Sequence, residues 1–531
     1  MPQHYTFVVA FAALLATASP ASSQHIHDND HRDVGKVVFA NSCAPAAQED
    51  LMRGVAMLHS FWYTAGVKTF RDVLATDASC AIAHWGIASL LMNNPLAGAG
   101  SAPDDVILAQ AAVAEARRTG AKTQRERDYV EAVGAYYDNF AATTERVRQA
   151  VRSKAYEALA ARYLDDDEAQ IFSALYIAGT QSQADQSFAA YARSAAILNK
   201  QLAKYPDHPG ISHYLIHVYD APPLAAQGVS AAKRYAGLAP DAPHALHMPS
   251  HIFTRVGAWE ESAAANERSF GAAVKGNEGA EAYHASDYQV YAYLQLGRDR
   301  AAQEVIDRVM KVQVSPPNLA FIYAAAAMPV RYAIERGDWK GTAQVPVPTD
   351  GTPFTQALVL YARGISAARS GDAAGADQAA AALDERQKVL SAAGNIYWAR
   401  EVEIQQRAVT GLAAIAAKRT DEGLGMLRAA ADLEEGNEKH IVTPGRIMPA
   451  RELLADMLLE AGQPAAALKE YEASQIREPN RFRGYWGAGR AAEALSNRDT
   501  AVMQYRKLVA MTKDADSARP ELAHARAFIG Q

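Results

Sequence analysis

The sequence predicts an all-α protein, one long solenoid of stacked helical hairpins, and three observations lead there. Alanine-rich stretches with helical periodicity recur along the 531 residues while β-branched runs are few, which favours helix over strand. Short breaks such as TGAKT, NFAAT and LDDD separate them. A pattern also repeats at a fixed interval: His213 and His217 return as His247 and His251, and Pro206 returns as Pro240, each 34 residues on.

A period of 34 is that of tetratricopeptide (TPR) repeats, in which each repeat is one helical hairpin and the array winds into a right-handed superhelix. Hydrophobic content of 49% and charged content of 21% suit a globular chain with a large core. A formal net charge of −6 and the lack of basic runs argue against nucleic acid as a partner.

In chain order, residues 1–23 read as a signal peptide: the apolar run from Phe7 to Ala16 is followed by small residues, with cleavage expected before Ser19 or Gln24. The n-region lacks Lys and Arg, and the run is too short to span a bilayer comfortably, so no membrane span is expected after signal removal. The protein is therefore expected to be periplasmic or secreted. Residues 24–49 read as a flexible leader in which His25, His27 and His31 bind metal at most weakly. The only cysteines, Cys43 and Cys80, either pair in an oxidising compartment or lie as two separate buried thiols.

A single superhelix is expected over 50–531, in three parts. Residues 50–190 hold divergent repeats, with Gly54, Gly66 and Gly86 where helices cross and Phe70 and Trp85 where they interlock. Residues 191–300 hold the histidines, and residues 301–531 hold further hairpins over 317–334, 354–370, 395–418 and 422–435. Gly462 marks the inter-helix turn of a clear repeat near the end. EKHIVTPGRIMP, carrying Glu438 and His440, interrupts the hairpins and is a candidate to fold into the groove with Glu452 and Asp456.

Helical spacings of three and four put side chains on one face. With Gly257 as inter-helix glycine, His213 and His217, and then His244, His247 and His251, lie on first helices facing the concave groove. His284, Asp287 and Tyr291 follow 40 residues after His244, His247 and His251, the six extra residues being expected as a longer loop within GNEGAEA. Pro249 is expected to kink the helix or to begin a new one.

The strings HPGISHYLIHVYD, APHALHMPSHIFTRVGAWEES, HASDYQVYAYLQLGRD, LHSFWY and EKHIVTPGRIMPAREL resemble those of a group of bacterial, often exported, TPR-repeat proteins without an assigned activity. The resemblance implies a TPR superhelix and no chemistry.

The histidines carry the functional expectation. Imidazole is a common ligand for zinc, copper, nickel and iron, and an i, i+4 pair chelates one ion from one helix face. The expected metal ligands are His213, His217, His244, His247, His251, His284 and Asp287. Tyr214, Tyr219, Asp220, Arg255 and Tyr288 are candidates to hold a substrate. The rival expectation is a metal-free interaction scaffold, whose groove holds a small ligand or a protein segment. No HExxH, GxSxG, Walker or GxGxxG pattern names a reaction. A metal-dependent hydrolase or an oxygen-using metalloenzyme are the enzyme forms to look for.

Overall fold

The computed structural model describes residues 33–315 and 317–530. The segment expected to be a signal peptide and His25, His27 and His31 therefore lie outside the described residues. Among the described residues there is helix and irregular chain but no strand, and each helix packs on its chain neighbours as a run of antiparallel hairpins.

One turn recurs between paired helices. Gly257, Gly297, Gly337 and Gly462 adopt φ of 67°, 68°, 64° and 73°, a left-handed conformation that glycine enters without Cβ strain. At each, the next residue's N–H reaches back five residues: Ala258 to Phe253 at 2.8 Å, Arg298 to Tyr293 at 2.8 Å, Asp338 to Ala333 at 3.0 Å and Gln463 to Leu458 at 2.9 Å. These bonds close the first helix of each pair and start the second one residue later.

Close helix crossings account for the small residues of the first hairpins. A Cβ on Gly86 would lie 2.3 Å from the Phe70 ring, so that crossing admits only glycine unless Phe70 moves. The leader is packed from Val34 onward: Val34, Val37 and Phe39 are buried, and Phe39 stacks on Trp85 at 5.1 Å. Cys43 and Cys80 are joined as a disulfide with Cα atoms 4.8 Å apart, 37 residues apart in sequence. The loop-entropy relation puts the contribution of such a cross-link at roughly 4 kcal/mol.

Two local features differ from expectation, and a third, at Pro249, follows it. The six extra residues before His284 do not form a longer loop, because only 276–278 lie between the helices Trp259–Lys275 and Gly279–Gln295; the insertion lengthens helices instead. A helix over Ala373–Ala392 escapes the sequence reading, because alanine occupies both its faces and blurs the apolar stripe. Pro249 divides its helix into Pro243–His247 and Pro249–Arg255, with Met248 kept in helical conformation between them. The missing N–H removes one backbone bond, but Met248 still donates to His244 O at 2.9 Å and His251 to Met248 O at 3.1 Å.

The array turns back on itself. Trp259 Nε1 donates to Asn480 O at 2.7 Å, and Arg519 pairs with Asp299, so the last hairpins lie against the middle ones. The irregular segment between the helices Thr420–Glu435 and Ala450–Glu460 runs through the interior. Its Glu438 N–H donates to Gln183 O at 2.8 Å, its Ile441 and Thr443 carbonyls accept from Tyr288, and its Gly445 and Arg446 carbonyls accept from Arg331 at 3.1 Å. The groove is thus occupied by the chain's own backbone, as the break at EKHIVTPGRIMP suggested, and the histidines beneath it are buried.

Candidate metal centre

The helix Pro209–Tyr219 opens on a proline, whose missing N–H costs nothing at a helix start, and carries His213 and His217 one turn apart. The next repeat offers His244 and His247 on Pro243–His247 and His251 on Pro249–Arg255, and Gly279–Gln295 offers His284.

Tertiary packing sorts these six into two triads, His213 with His217 and His244, and His247 with His251 and His284; within each, one ligand atom per residue lies within 4.8 Å of the others. The second triad repeats the first: an i, i+4 pair closed by the leading histidine of the following hairpin. His213 Nε2 stands 3.1 Å from His217 Nε2, and His247 Nε2 stands 3.0 Å from His251 Nε2. The triads adjoin, with ring centroids of His217 and His251 5.7 Å apart and those of His244 and His247 6.0 Å apart.

Four of the rings are held by their second nitrogen. His213 Nδ1 lies 2.6 Å from His59 O, His244 Nδ1 3.1 Å from Glu281 Oε2, His247 Nδ1 2.7 Å from Asn266 Oδ1 and His251 Nδ1 2.8 Å from Asp220 Oδ2. An Nδ1–H donated outward leaves Nε2 as a lone pair facing the other rings, the arrangement found behind metal-bound histidines. His217 Nδ1, His244 Nε2 and His284 Nδ1 are buried without a hydrogen-bond partner among the described residues. Buried nitrogens left so are costly unless something else satisfies them.

Burial also disfavours the charged form of five of these rings, His213, His217, His247, His251 and His284. It draws His213, His217 and His247 well below the ordinary histidine range, aided by neighbouring histidines, and brings His284 to about 3. His251 falls to about 4 by burial even though Asp220 raises it. His440, buried against Ala97 O at 2.9 Å and the rings of Tyr397 and Trp398, also falls to about 4. In the unfolded chain each would titrate near 6.5. The folded values are depressed, so below pH 6.5 the unfolded state binds more protons and stability falls with pH. Metal-free protein is expected to lose roughly 1.4 kcal/mol per pH unit for each of His251, His284 and His440 between about pH 6.5 and 4. Denaturant midpoints measured across that window check this; a flat profile contradicts it.

A buried ionic hub adjoins the second triad. Asp220 accepts from His251, from Arg255 Nε at 2.7 Å and from Lys439 Nζ at 3.2 Å, while Arg255 also reaches Glu438 at 2.8 Å. Burial opposes the Asp220 charge, yet Lys439, Arg255 and His251 hold its carboxyl well below the usual range. Burial also draws Lys439 down to about 8, with Asp220 opposing.

The other expected residues take distinct places. Asp287 is buried against Arg331 Nε at 3.2 Å and lies outside both triads, and burial raises its pKa. Tyr288 stands over the second triad, its hydroxyl 3.3 Å from His251 Nδ1 and bonded to the Ile441 and Thr443 carbonyls. Tyr214 OH meets His59 Nδ1 at 2.9 Å, and Tyr219 OH accepts from Asn199. Glu452 pairs with Arg481, and Asp456 with Arg483 and Tyr471, away from the histidines.

Sequence reasoning passed over Glu281, Asn266, Lys439 and the carbonyl of His59. Glu281, one turn before His284, is the one of these that helical spacing marks.

No known protein-family profile matches the chain, and no curated protein matches it. Solved structures do match. The crystal structure of the P58(IPK) TPR domain is 12% identical over 69% of this chain and 99% of that one, with a TM-score of 0.21.

Proposed function

We propose that this chain is an exported metalloprotein whose helical-hairpin array holds a pair of transition-metal ions, one in each histidine triad. The observation that carries the reading is the set of outward Nδ1 anchors, which aim unprotonated Nε2 atoms from neighbouring repeats at common points. All-imidazole donor sets suit zinc, copper, nickel or iron(II). His213, His217 and His244 would hold one ion and His247, His251 and His284 the other. Each ion would act as a Lewis acid on any oxygen ligand reaching it. Asp220 and Asn266 orient the rings, and Tyr288 with the 438–443 backbone excludes water above them.

The scaffold reading is less favoured, because the chain's own segment over 437–449 fills the groove in which a partner segment would lie. Metal content of the purified protein, with His25, His27 and His31 replaced by alanine, tests the proposal: two equivalents in the triads support it. Less than about a tenth of an equivalent after loading with zinc, copper, nickel or iron(II) overturns it.

Export is supported by the Cys43–Cys80 disulfide, a bond that persists in oxidising compartments. N-terminal sequencing of the protein from its native host is expected to begin at Ser19 or Gln24, and an intact Met1 would contradict export.

A further inference from the structure

A different donor set stands beside the first triad. His59 ends the helix Gln48–His59, His208 caps Pro209–Tyr219, and Glu168 lies in the first turn of Asp167–Ala178. Glu168 Oε2 lies 2.9 Å from His59 Nε2 and Oε1 lies 3.0 Å from His208 Nε2, and the three donors fall within 4.8 Å of one another. The His59 ring is fixed by stacking on Phe172 at 4.6 Å and by the contact of its Nδ1 with Tyr214 OH.

Two further observations point to a ligand. His208 is 6% exposed, and its Nδ1 has no hydrogen-bond partner among the described residues. Glu168 and His208 both line an open cleft of about 750 Å³, whose walls include Arg125, Leu164, Lys204 and Tyr205.

We propose that His59, Glu168 and His208 form a third metal site, separate from the two triads and of catalytic type. Two imidazoles and one carboxylate are a donor set for zinc that leaves a coordination position open, and here the cleft adjoins two of the three donors. The ion takes water there, or a small anionic oxygen or nitrogen donor entering from the cleft. The cysteine-containing group of Cys43, Asp77 and Cys80 offers no such site, because its sulfurs are joined to each other.

The test loads the full chain with cobalt(II) and counts bound metal by mass spectrometry, with the visible spectrum recorded with and without azide. Glu168→Gln and His208→Gln are each expected to hold one ion fewer than the parent. An azide-sensitive visible band is expected in the parent and in His217→Ala/His251→Ala, and to vanish in Glu168→Gln. A Glu168→Gln protein that binds as many ions as the parent overturns the site. So does a parent spectrum indifferent to azide, which needs no variant to fold. Failure of the two-triad reading looks different: His217→Ala/His251→Ala would then keep the parent's full count.

Discussion

The His217→Ala/His251→Ala variant is expected to lose the metal of both triads, because each change removes a central donor from one triad and leaves two. Ring-orienting partners alone are worth about 10- to 100-fold in affinity, so loss of a donor is expected to cost at least about 100-fold. Bound metal at these sites should fall by two equivalents, read by mass spectrometry, with helix content by circular dichroism unchanged. Asn266→Ala is expected to weaken only the second triad, by about 10- to 100-fold, since it frees the Nδ1 of His247 but spares its Nε2. His440→Ala, whose ring lies against Ala97 and Trp398, is expected to keep both ions. A double variant that retained the parent's metal would sink the triad assignment.

Asp220→Ala is expected to destabilise the fold by about 3–5 kcal/mol, the usual cost of leaving buried cations without their partner. Arg255 and Lys439 both lean on this carboxylate, with side chains 6% and 2% exposed. Glu438 stays beside Arg255, so Lys439 bears most of the loss; its pKa, already about 8, should fall further until it sheds its proton. The loss should concentrate where Lys439 enters, so amide exchange over 438–443 is expected to speed up more than in the hairpins. Asp220→Asn keeps the shape but not the charge, and should fall between parent and alanine variant. A shift in unfolding free energy within about 0.5 kcal/mol for Asp220→Ala would show that the hub does not hold this segment down.

The two variants probe different parts of one assembly. Loss of a histidine acts on the proposed metal sites with the backbone in place, whereas hub loss acts on the segment that covers the histidine triads. Asp220 joins them, because its Oδ2 accepts from both His251 and Lys439.

The sequence by itself determined the helical-hairpin array and the face on which the histidines stand. Both are local: a 3.6-residue period stacks His213 over His217, and a 34-residue repeat presents His247 and His251 in the same way on the next hairpin. That EKHIVTPGRIMP can fold into the groove was legible as a Pro/Gly-interrupted break in the pattern; its particular contacts with Tyr288, Arg331 and Gln183 depend on how the superhelix curls. The helix Ala373–Ala392 was hidden because alanine has no strong preference between core and solvent.

Only the tertiary structure decided how seven expected ligands divide: six histidines into two triads, and Asp287 to Arg331. That division depends on the angle at which successive hairpins cross, which places His244 beside the His213/His217 pair and His284 beside the His247/His251 pair. The ring anchors had the same origin, since Asp220 and Glu281 reach their histidines from 31 and 37 residues away and the His59 carbonyl from 154. The pairing of His59 and His208 through Glu168 joins three separate hairpins, and no spacing along the chain encodes it. Helical periodicity specifies which way a side chain points from its own axis, while the meeting of side chains is set by packing of non-local surfaces.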